Sequence, residues 1–293
     1  MMPFHRILFP FDFSEAASAM APAVASMARQ FNASVTVLNA FHFAPDYVVS
    51  PRFDIAFGSE PIAIPYIPAA LELRNQRERR LEEIAREQLS SIEQNVRIED
   101  GDPATVIEWV AKHEHSDLIM MPTRGLGRFR RLLLGSVTAK VLHDVECPVF
   151  TSTHEAEAAS SASRGYQSIL CAVRLGPESD AALKMTGVLA EAWHARVCLL
   201  HIEASSDTEN TNNSVKSAQK AFQRTLEASG YSGADPRICI LDAAILKGIR
   251  ETAIDEKADL VIVGRGHLRG QISRAWSHVY TIIRESPCPV LSV

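Results

Sequence analysis

Residues 122–138, PTRGLGRFRRLLLGSVT, bring Gly125, Gly127, Gly135 and Ser136 together with four arginines, Arg124, Arg128, Arg130 and Arg131. Glycines in such a run let backbone N–H groups turn toward a ligand with no Cβ in the way. Gly135 and Ser136 open the next helix, where unpaired N–H groups and the helix dipole favour an anion and the serine hydroxyl adds a donor. The chemistry on offer is the cradling of phosphate. On spacing alone a second reading stands beside it, because glycines end strands and serines cap helices everywhere. A solvated basic turn would look the same, and of the four arginines Arg124 is the best placed to meet a phosphate.

One acidic residue belongs with this loop. Asp12 ends the first apolar run, RILFPF, and an acidic side chain at the end of a strand commonly accepts hydrogen bonds from a ribose or a base. Other chemistries lack their residues. There is no G-x-x-x-x-G-K-[ST] run and no G-x-S-x-G elbow. GRGHLRG, Gly264–Gly270, misses G-x-G-x-x-G by one residue and follows a fourth strand instead of a first. His113 and His115 alternate at a helix end and face apart, so no metal site is assigned to them.

The elements that must position these residues come twice. HRILFPFDFSEAASAMAPAVASMARQFNASVTVLNAF from His5 is matched by QSILCAVRLGPESDAALKMTGVLAEAWHARVCLLHIE from Gln167, with Ile7 opposite Ile169 and Val35 opposite Val197. Asp117 in SDLIMMP then stands opposite Asp259 in ADLVIVG, and Cys147 opposite Cys288. Each half alternates strand and helix and closes on a strand, which predicts two repeated α/β domains, each a doubly wound parallel sheet of Rossmann-like form. In the first half the strands are RILFPF, SVTVLNAF, NVRIE, DLIMM and PVFT. Ser14 is placed to cap a helix that buries Met20, Val24, Met27 and Phe31. Leu81, Ile84, Leu89 and Ile92 mark a long second helix, Ala104–His113 a third with Val106, Ile107 and Val110 inward, and Ser136–Asp144 the last.

The domains so read are 1–152 and 166–293, joined by a small, polar linker at 153–165. Residues 203–214 read as a second solvated loop. The first half carries an insertion at 44–68, rich in proline yet holding Tyr47, Val48, Val49, Phe53, Ile55, Phe57, Ile62 and Ile64. A loop of that content covers something, either the other half or a ligand cleft.

Over all 293 residues, 46% apolar and 22% charged content suits a globular protein, and a net charge of -5 gives no global attraction to nucleic acid or to an anionic membrane. Asp12 and Glu15 interrupt the N-terminal apolar stretch, against a signal-peptide core, and no later run has the length of a membrane span. The five cysteines are odd in number, scattered and without a C-x-x-C, which predicts unpaired thiols and a cytoplasmic setting.

Two copies of an I-L-x-P-x-D-x-S-like start, G-D-P before the third helix, and G-x9-G-S-V followed by C-P-V together resemble the universal stress protein (UspA-like) family over nearly the whole chain, as a tandem pair. Nucleotide-binding members carry G-x2-G-x9-G-[ST]; Gly125, Gly135 and Ser136 match its second part, while Pro122 stands where the first glycine would be. The resemblance implies an adenine nucleotide, ATP or AMP with or without Mg2+, held by Pro10, Phe11 and Asp12, flanked by Ala40 and Met121, with Arg124, Gly125, Gly135, Ser136 and Val137 about the phosphates. It also implies pairing of the two halves through their last strands as an intramolecular pseudo-dimer, with a homodimer of two chains left open.

Arg174 replaces Asp12 in the second half and Trp276 replaces Gly135, so that half reads as having lost the site. The function implied is a stress-response sensor or regulator with at most slow hydrolysis and no catalytic residue. The alternatives are an interaction protein of the same fold that holds no nucleotide, or an enzyme on a related fold, although PFDFSEAA lacks the SGGxDS-type loop the latter would need.

Overall fold

The computed structural model describes residues 3–41, 66–123, 134–152, 165–203, 211–233, 235–265 and 274–293. The first half runs β1 (Arg6–Pro10), α1 (Glu15–Phe31), β2 (Ser34–Phe41), α2 (Tyr66–Gln88), β3 (Gln94–Asp100), α3 (Pro103–His113), β4 (Leu118–Pro122), α4 (Ser136–Asp144) and β5 (Val149–Ser152). The second repeats it: β6 (Ser168–Ala172), a 3-10 turn at Pro177–Ser179, α5 (Asp180–Trp193), β7 (Arg196–Glu203), α6 (Thr211–Ser229), β8 (Arg237–Asp242), α7 (Ile245–Asp255), β9 (Leu260–Val263), α8 (Arg274–Glu285) and β10 (Val290–Ser292). The α/β alternation read from the sequence is the architecture found. Several boundaries differ: α2 begins at Tyr66, inside the stretch read as insertion, and α3 begins at Pro103. Ile92 lies beyond the end of α2, packing on the core from the following turn, and α6 begins at Thr211, inside the stretch read as loop. Most of the insertion and of the linker lies outside the described residues.

Local rules account for the helix ends. Ser14 has extended backbone and its Oγ accepts from Ala17 N at 3.1 Å, so α1 starts where the sequence supplies a cap. Asn32 and its counterpart His194 end α1 and α5 in left-handed conformation. In G-D-P, Gly101 takes φ 144° to leave β3, Asp102 caps α3 with its carboxylate, and Pro103 fills the first helical position, where its missing N–H costs nothing.

Ten strands form one sheet in the order β3-β2-β1-β4-β5-β10-β9-β6-β7-β8. All neighbours are parallel except β5 and β10, which pair antiparallel with Val149 opposite Ser292, Phe150 opposite Leu291 and Thr151 opposite Val290. Two apolar layers cover the faces, and each draws on both halves. One contains Ile7, Phe9, Phe150, Ile169 and Leu291 under α1, α2, α5 and α6; the other contains Leu8, Ile119, Val149, Leu170 and Val290 under α3, α4, α7 and α8.

The seam between the halves is aromatic on the first of these faces. Phe31 and Trp193, at equivalent positions of α1 and α5, stand 5.7 Å apart; Phe4 packs on Phe31 and Tyr166 on Trp193 at 5.4 and 4.8 Å.

Candidate functional site

The strand order within the first half, β3-β2-β1-β4-β5, reverses between β1 and β4, and ligands in open α/β sheets bind beyond the strand ends at that point. Pro10 is level with Leu38 on β2, and Leu8 with Ile119 on β4. Continuing both registers brings Asp12 level with Ala40 on one side and with Thr123 on the other. Strand alternation puts Pro10, Ala40 and Met121 on the sheet face that carries α4. The structure therefore gathers Pro10, Asp12, Ala40, Met121, Gly135, Ser136 and Val137 at one edge. Phe11 behaves differently: its ring is buried against Phe9 and Phe13, and only its backbone reaches the edge. Arg124 and Gly125 lie outside the described residues.

Asp12 is half-buried, and its Oδ1 accepts from Ser14 N at 3.0 Å while Phe13 takes φ 62° to make the turn. Oδ2 takes no part in that bond. The Gly-rich loop is closed at its base: Gly135 N donates to Thr123 O at 2.8 Å, and Thr138 Oγ1 donates to Pro122 O at 3.1 Å. Thr123 in turn donates through both its N–H and its Oγ1 to Ser152 O, each at 3.1 Å. These bonds fix the start of α4 against the end of β4. The start of α4 differs from those of α1 and α3, whose first N–H groups are capped by the side chains of Ser14 and Asp102: Gly135 makes no side-chain cap, and the first turn of α4 lacks an acidic residue such as Glu15 of α1. The donor set at that helix end is therefore suited to an anion.

Several side chains here escaped the reading by motif. Asn39, buried on β2, donates through Nδ2 to Phe11 O at 2.7 Å and accepts at Oδ1 from Arg77 Nη1 at 3.1 Å. Arg77 lies over the Phe41 ring at 4.6 Å, and its buried Nε has no hydrogen-bond partner among the described residues. His201 occupies the place of Asn39 in the second half, with Nδ1 2.9 Å from Val173 O. A polar residue at the same position of two apolar strands was the available signal. Asp102 accepts from Lys140 Nζ on α4 at 2.8 Å as well as from Thr105, and the ammonium first, then the Thr105 donors, hold its carboxyl down at about 2.

The second half reaches into the same site. Tyr280 on α8 donates its hydroxyl to Leu134 O at 3.3 Å, two residues before the start of α4. At the other end of α4, buried Arg265 donates to Leu142 O and Val145 O through Nη1 at 3.2 and 2.9 Å, and to Glu146 O and Cys147 O through Nη2 at 3.3 and 2.5 Å. A cation on the last carbonyls of a helix satisfies acceptors and the dipole together. Arg265 stands where the first half has Thr123, so only sequence position, not residue type, links them.

At the matching edge of the second half, a turn packs against the end of β9. After β6, Ser179 Oγ accepts from Arg174 N at 2.9 Å and donates to Arg174 O at 2.8 Å, folding the 3-10 turn inward. A Cβ added at Gly264, the counterpart of Pro122, would come 3.2 Å from Glu178 O of that turn. Arg174 itself is exposed beside Glu178. The side chain of Trp276 is not among those described.

The universal stress protein family model matches residues 3–151 and again 165–293. The chain belongs to the universal stress protein family. It is 31% identical over 146 residues to a universal stress protein of Thermus aquaticus, an alignment that takes 50% of this chain and 96% of that one, so the relative corresponds to a single repeat. A universal stress protein from Archaeoglobus fulgidus superposes with a TM-score of 0.67 at 20% identity, covering 98% of this chain and 95% of its own. A putative universal stress protein from Pseudomonas aeruginosa gives 0.61 at 14% identity, with 99% and 93% covered. At these identities the superpositions show the fold, and they show it for the tandem arrangement as a whole. Among the described residues no helix of this universal stress protein is long and apolar enough to cross a membrane.

Proposed function

We propose that this tandem universal stress protein holds one adenine nucleotide, ATP or AMP, in its first half, and that the second half serves as the built-in partner of a pseudo-dimer. The observation that carries the reading is the contrast between the two halves. The edge between β1 and β4 presents an uncapped helix start pinned to the strand end, with Asp12 alongside, whereas the edge between β6 and β9 is packed by the turn at Pro177–Ser179.

Each group has a part. Asp12 accepts from the ribose or the base, Ala40 and Met121 flank the ring, and Gly135, Ser136 and Val137 offer N–H groups and a hydroxyl to phosphate. Arg124 and Gly125 complete the phosphate loop in this proposal. Mg2+, where it accompanies the nucleotide, would be held mainly by phosphate oxygens and water, since Asp12 is the one carboxylate assigned to the site. No residue is assigned as base or nucleophile, so any hydrolysis is slow and the role is sensing or regulation, in the cytoplasm.

Calorimetric titration with ATP and with AMP tests this. Asp12→Ala should weaken binding about tenfold, the worth of one hydrogen bond to a ligand hydroxyl, and Gly135→Trp should abolish it by filling the anion site. Affinity unchanged in both variants would remove the assignment.

One observation favours a second reading, an interaction protein that holds no nucleotide. Pro122 has no N–H to give and lies within β4, opposite Ser152, where the family's motif has a loop glycine. Absence of any titration heat or retained nucleotide in the unmodified protein would select it.

A further inference from the structure

Two thiols and a carboxylate meet at the outer end of the second half. In the parallel register Cys198 is opposite Arg237 and Leu200 opposite Cys239, so residues 198, 237 and 239 share the sheet face that α7 covers. The Cys198 thiol donates to Cys239 Sγ at 3.5 Å; Cys198 is buried and Cys239 half-buried on the edge strand β8. Glu256 ends α7, its N–H bonded to Thr252 O and its carbonyl held by Ser168 Oγ. One ligand atom from each of Cys198, Cys239 and Glu256 lies within 4.8 Å of the other two.

The first half supplies an internal comparison. The equivalent positions are Thr36, Arg97 and Glu114, and there they form a closed polar set: Thr36 Oγ1 and Arg97 Nη1 each donate to Glu114 at 2.7 Å. The second half keeps the glutamate and replaces both of its partners by cysteine. The compensating cation is displaced to Arg237, whose exposed guanidinium reaches Glu256 Oε1 at 2.7 Å. What remains between the sulfurs and the carboxylate is a set of soft, ionisable ligands.

The spacing distinguishes a bridging ion from a bond between the sulfurs. Diagonal neighbours on adjacent strands have Cα atoms about 7–8 Å apart, beyond the roughly 4.4–6.8 Å that a disulfide spans. A tetrahedral zinc with Zn–S of about 2.3 Å holds two sulfurs about 3.8 Å apart, close to the separation found. The C-terminal end of α7 adds its negative dipole end to the same spot, and Arg237 can steady the outer carboxylate oxygen as metal-binding carboxylates are commonly steadied.

We propose that Cys198, Cys239 and Glu256 bind one thiophilic divalent cation of the zinc class, with a fourth position left to water at the β8 edge. Both thiols lose their protons to solvent as the ion enters, and the two thiolates and the carboxylate supply the donor pairs; nothing is oxidised. The ion would tie β8, an edge strand, to β7 and α7. The proposal is independent of the nucleotide reading.

The test uses the full-length protein, stripped with a chelator and titrated with Zn2+ against a competing indicator, and with Co2+ for its thiolate charge-transfer absorption. One ion per chain, a thiolate–cobalt band and protection of Cys239 from alkylation are expected. Cys198→Ser and Cys239→Ser should each weaken binding roughly 100-fold or more and Glu256→Gln about tenfold, while Cys147→Ser leaves it unchanged. Cys239 is only half-buried, so its serine variant keeps the fold, which circular dichroism checks. No ion held at micromolar Zn2+, an ion held without the thiolate band, undiminished binding in the Cys198→Ser/Cys239→Ser double variant, or recovery of a Cys198–Cys239 disulfide in its place would each overturn the proposal.

Discussion

Phe150 and Leu291 hold the same position in the two repeats and face each other directly across the antiparallel β5–β10 ladder. A two-fold relation between the halves therefore passes through that pair, and the aromatic pairs Phe4–Phe31 and Tyr166–Trp193 are its images on either side. Both residues at the centre are fully or almost fully buried. Because each apolar layer runs unbroken across this seam, the two halves should unfold as one cooperative unit. Phe150→Ala should cost about 3–5 kcal/mol and still leave a single calorimetric transition; two separate transitions in the unmodified protein would contradict the shared core.

Tyr166 sits beside this axis in the place of Phe4. Its hydroxyl is buried with no hydrogen-bond partner among the described residues, and burial pushes its ionisation far above the usual tyrosine value. An unpaired buried hydroxyl costs about 1–3 kcal/mol. Tyr166→Phe should therefore leave stability equal or raise it by about 1 kcal/mol in urea unfolding. A loss of stability would show that the hydroxyl is satisfied after all.

Arg265 gives both terminal nitrogens of its guanidinium to carbonyls at and just beyond the end of α4, and its burial lowers the affinity for its own proton from the ordinary arginine value. Arg265→Met keeps the stem and removes the donors, leaving buried acceptors unpaired, at a cost of about 2–4 kcal/mol. Since α4 also carries the candidate phosphate site at its other end, nucleotide affinity should fall with it while Asp12 remains intact. Unchanged unfolding midpoints would mean that the carbonyls find other donors at no cost.

The Asp102–Lys140 pair ties the start of α3 to α4. The folded pKa of Asp102 is depressed to about 2 from an ordinary value of 3.8, with Lys140 as the first cause. The stabilisation is therefore present above the unfolded value and disappears as pH falls from about 4 to about 2. The pair is exposed to solvent, so its effect is small and screened by salt. Lys140→Met should flatten the acid limb of the unfolding curve between these values and raise the titration midpoint of Asp102 seen by NMR; an unmoved midpoint would show that the Thr105 donors alone hold it down.

Much of this was legible in the sequence, for reasons that can be located. The repeat was visible because strands buried on both faces must be apolar throughout, which makes RILFP and SILCA alike whatever else diverges. Ser14 announces a helix start through chemistry confined to three or four residues, whereas the cap by Asp102 and the start of α3 at Pro103 were not read. The site residues on strand ends followed from topology, since parallel strands joined by crossovers deliver their carboxyl ends to one edge. What escaped were contacts set by distance in space alone. Arg265 on Cys147 O, Tyr280 on Leu134 O and the approach of Cys198 to Cys239 depend on which strands become neighbours, and no local pattern records that. The turn at the second edge escaped too, although its residues differ, with Gly176-Pro177-Glu178-Ser179 standing where the first half has Ser14-Glu15-Ala16-Ala17; that this turn packs against Gly264 is again a matter of distance in space.

The central claim is one nucleotide site per chain, in the first half. Native mass spectrometry of the purified protein, without and with added ATP, tests it most directly. The account predicts one adenine nucleotide per chain, lost in Asp12→Ala/Gly135→Trp and unaffected by Arg174→Ala. Two per chain would show that the second edge opens despite its packed turn, and none at millimolar ATP would contradict the claim outright.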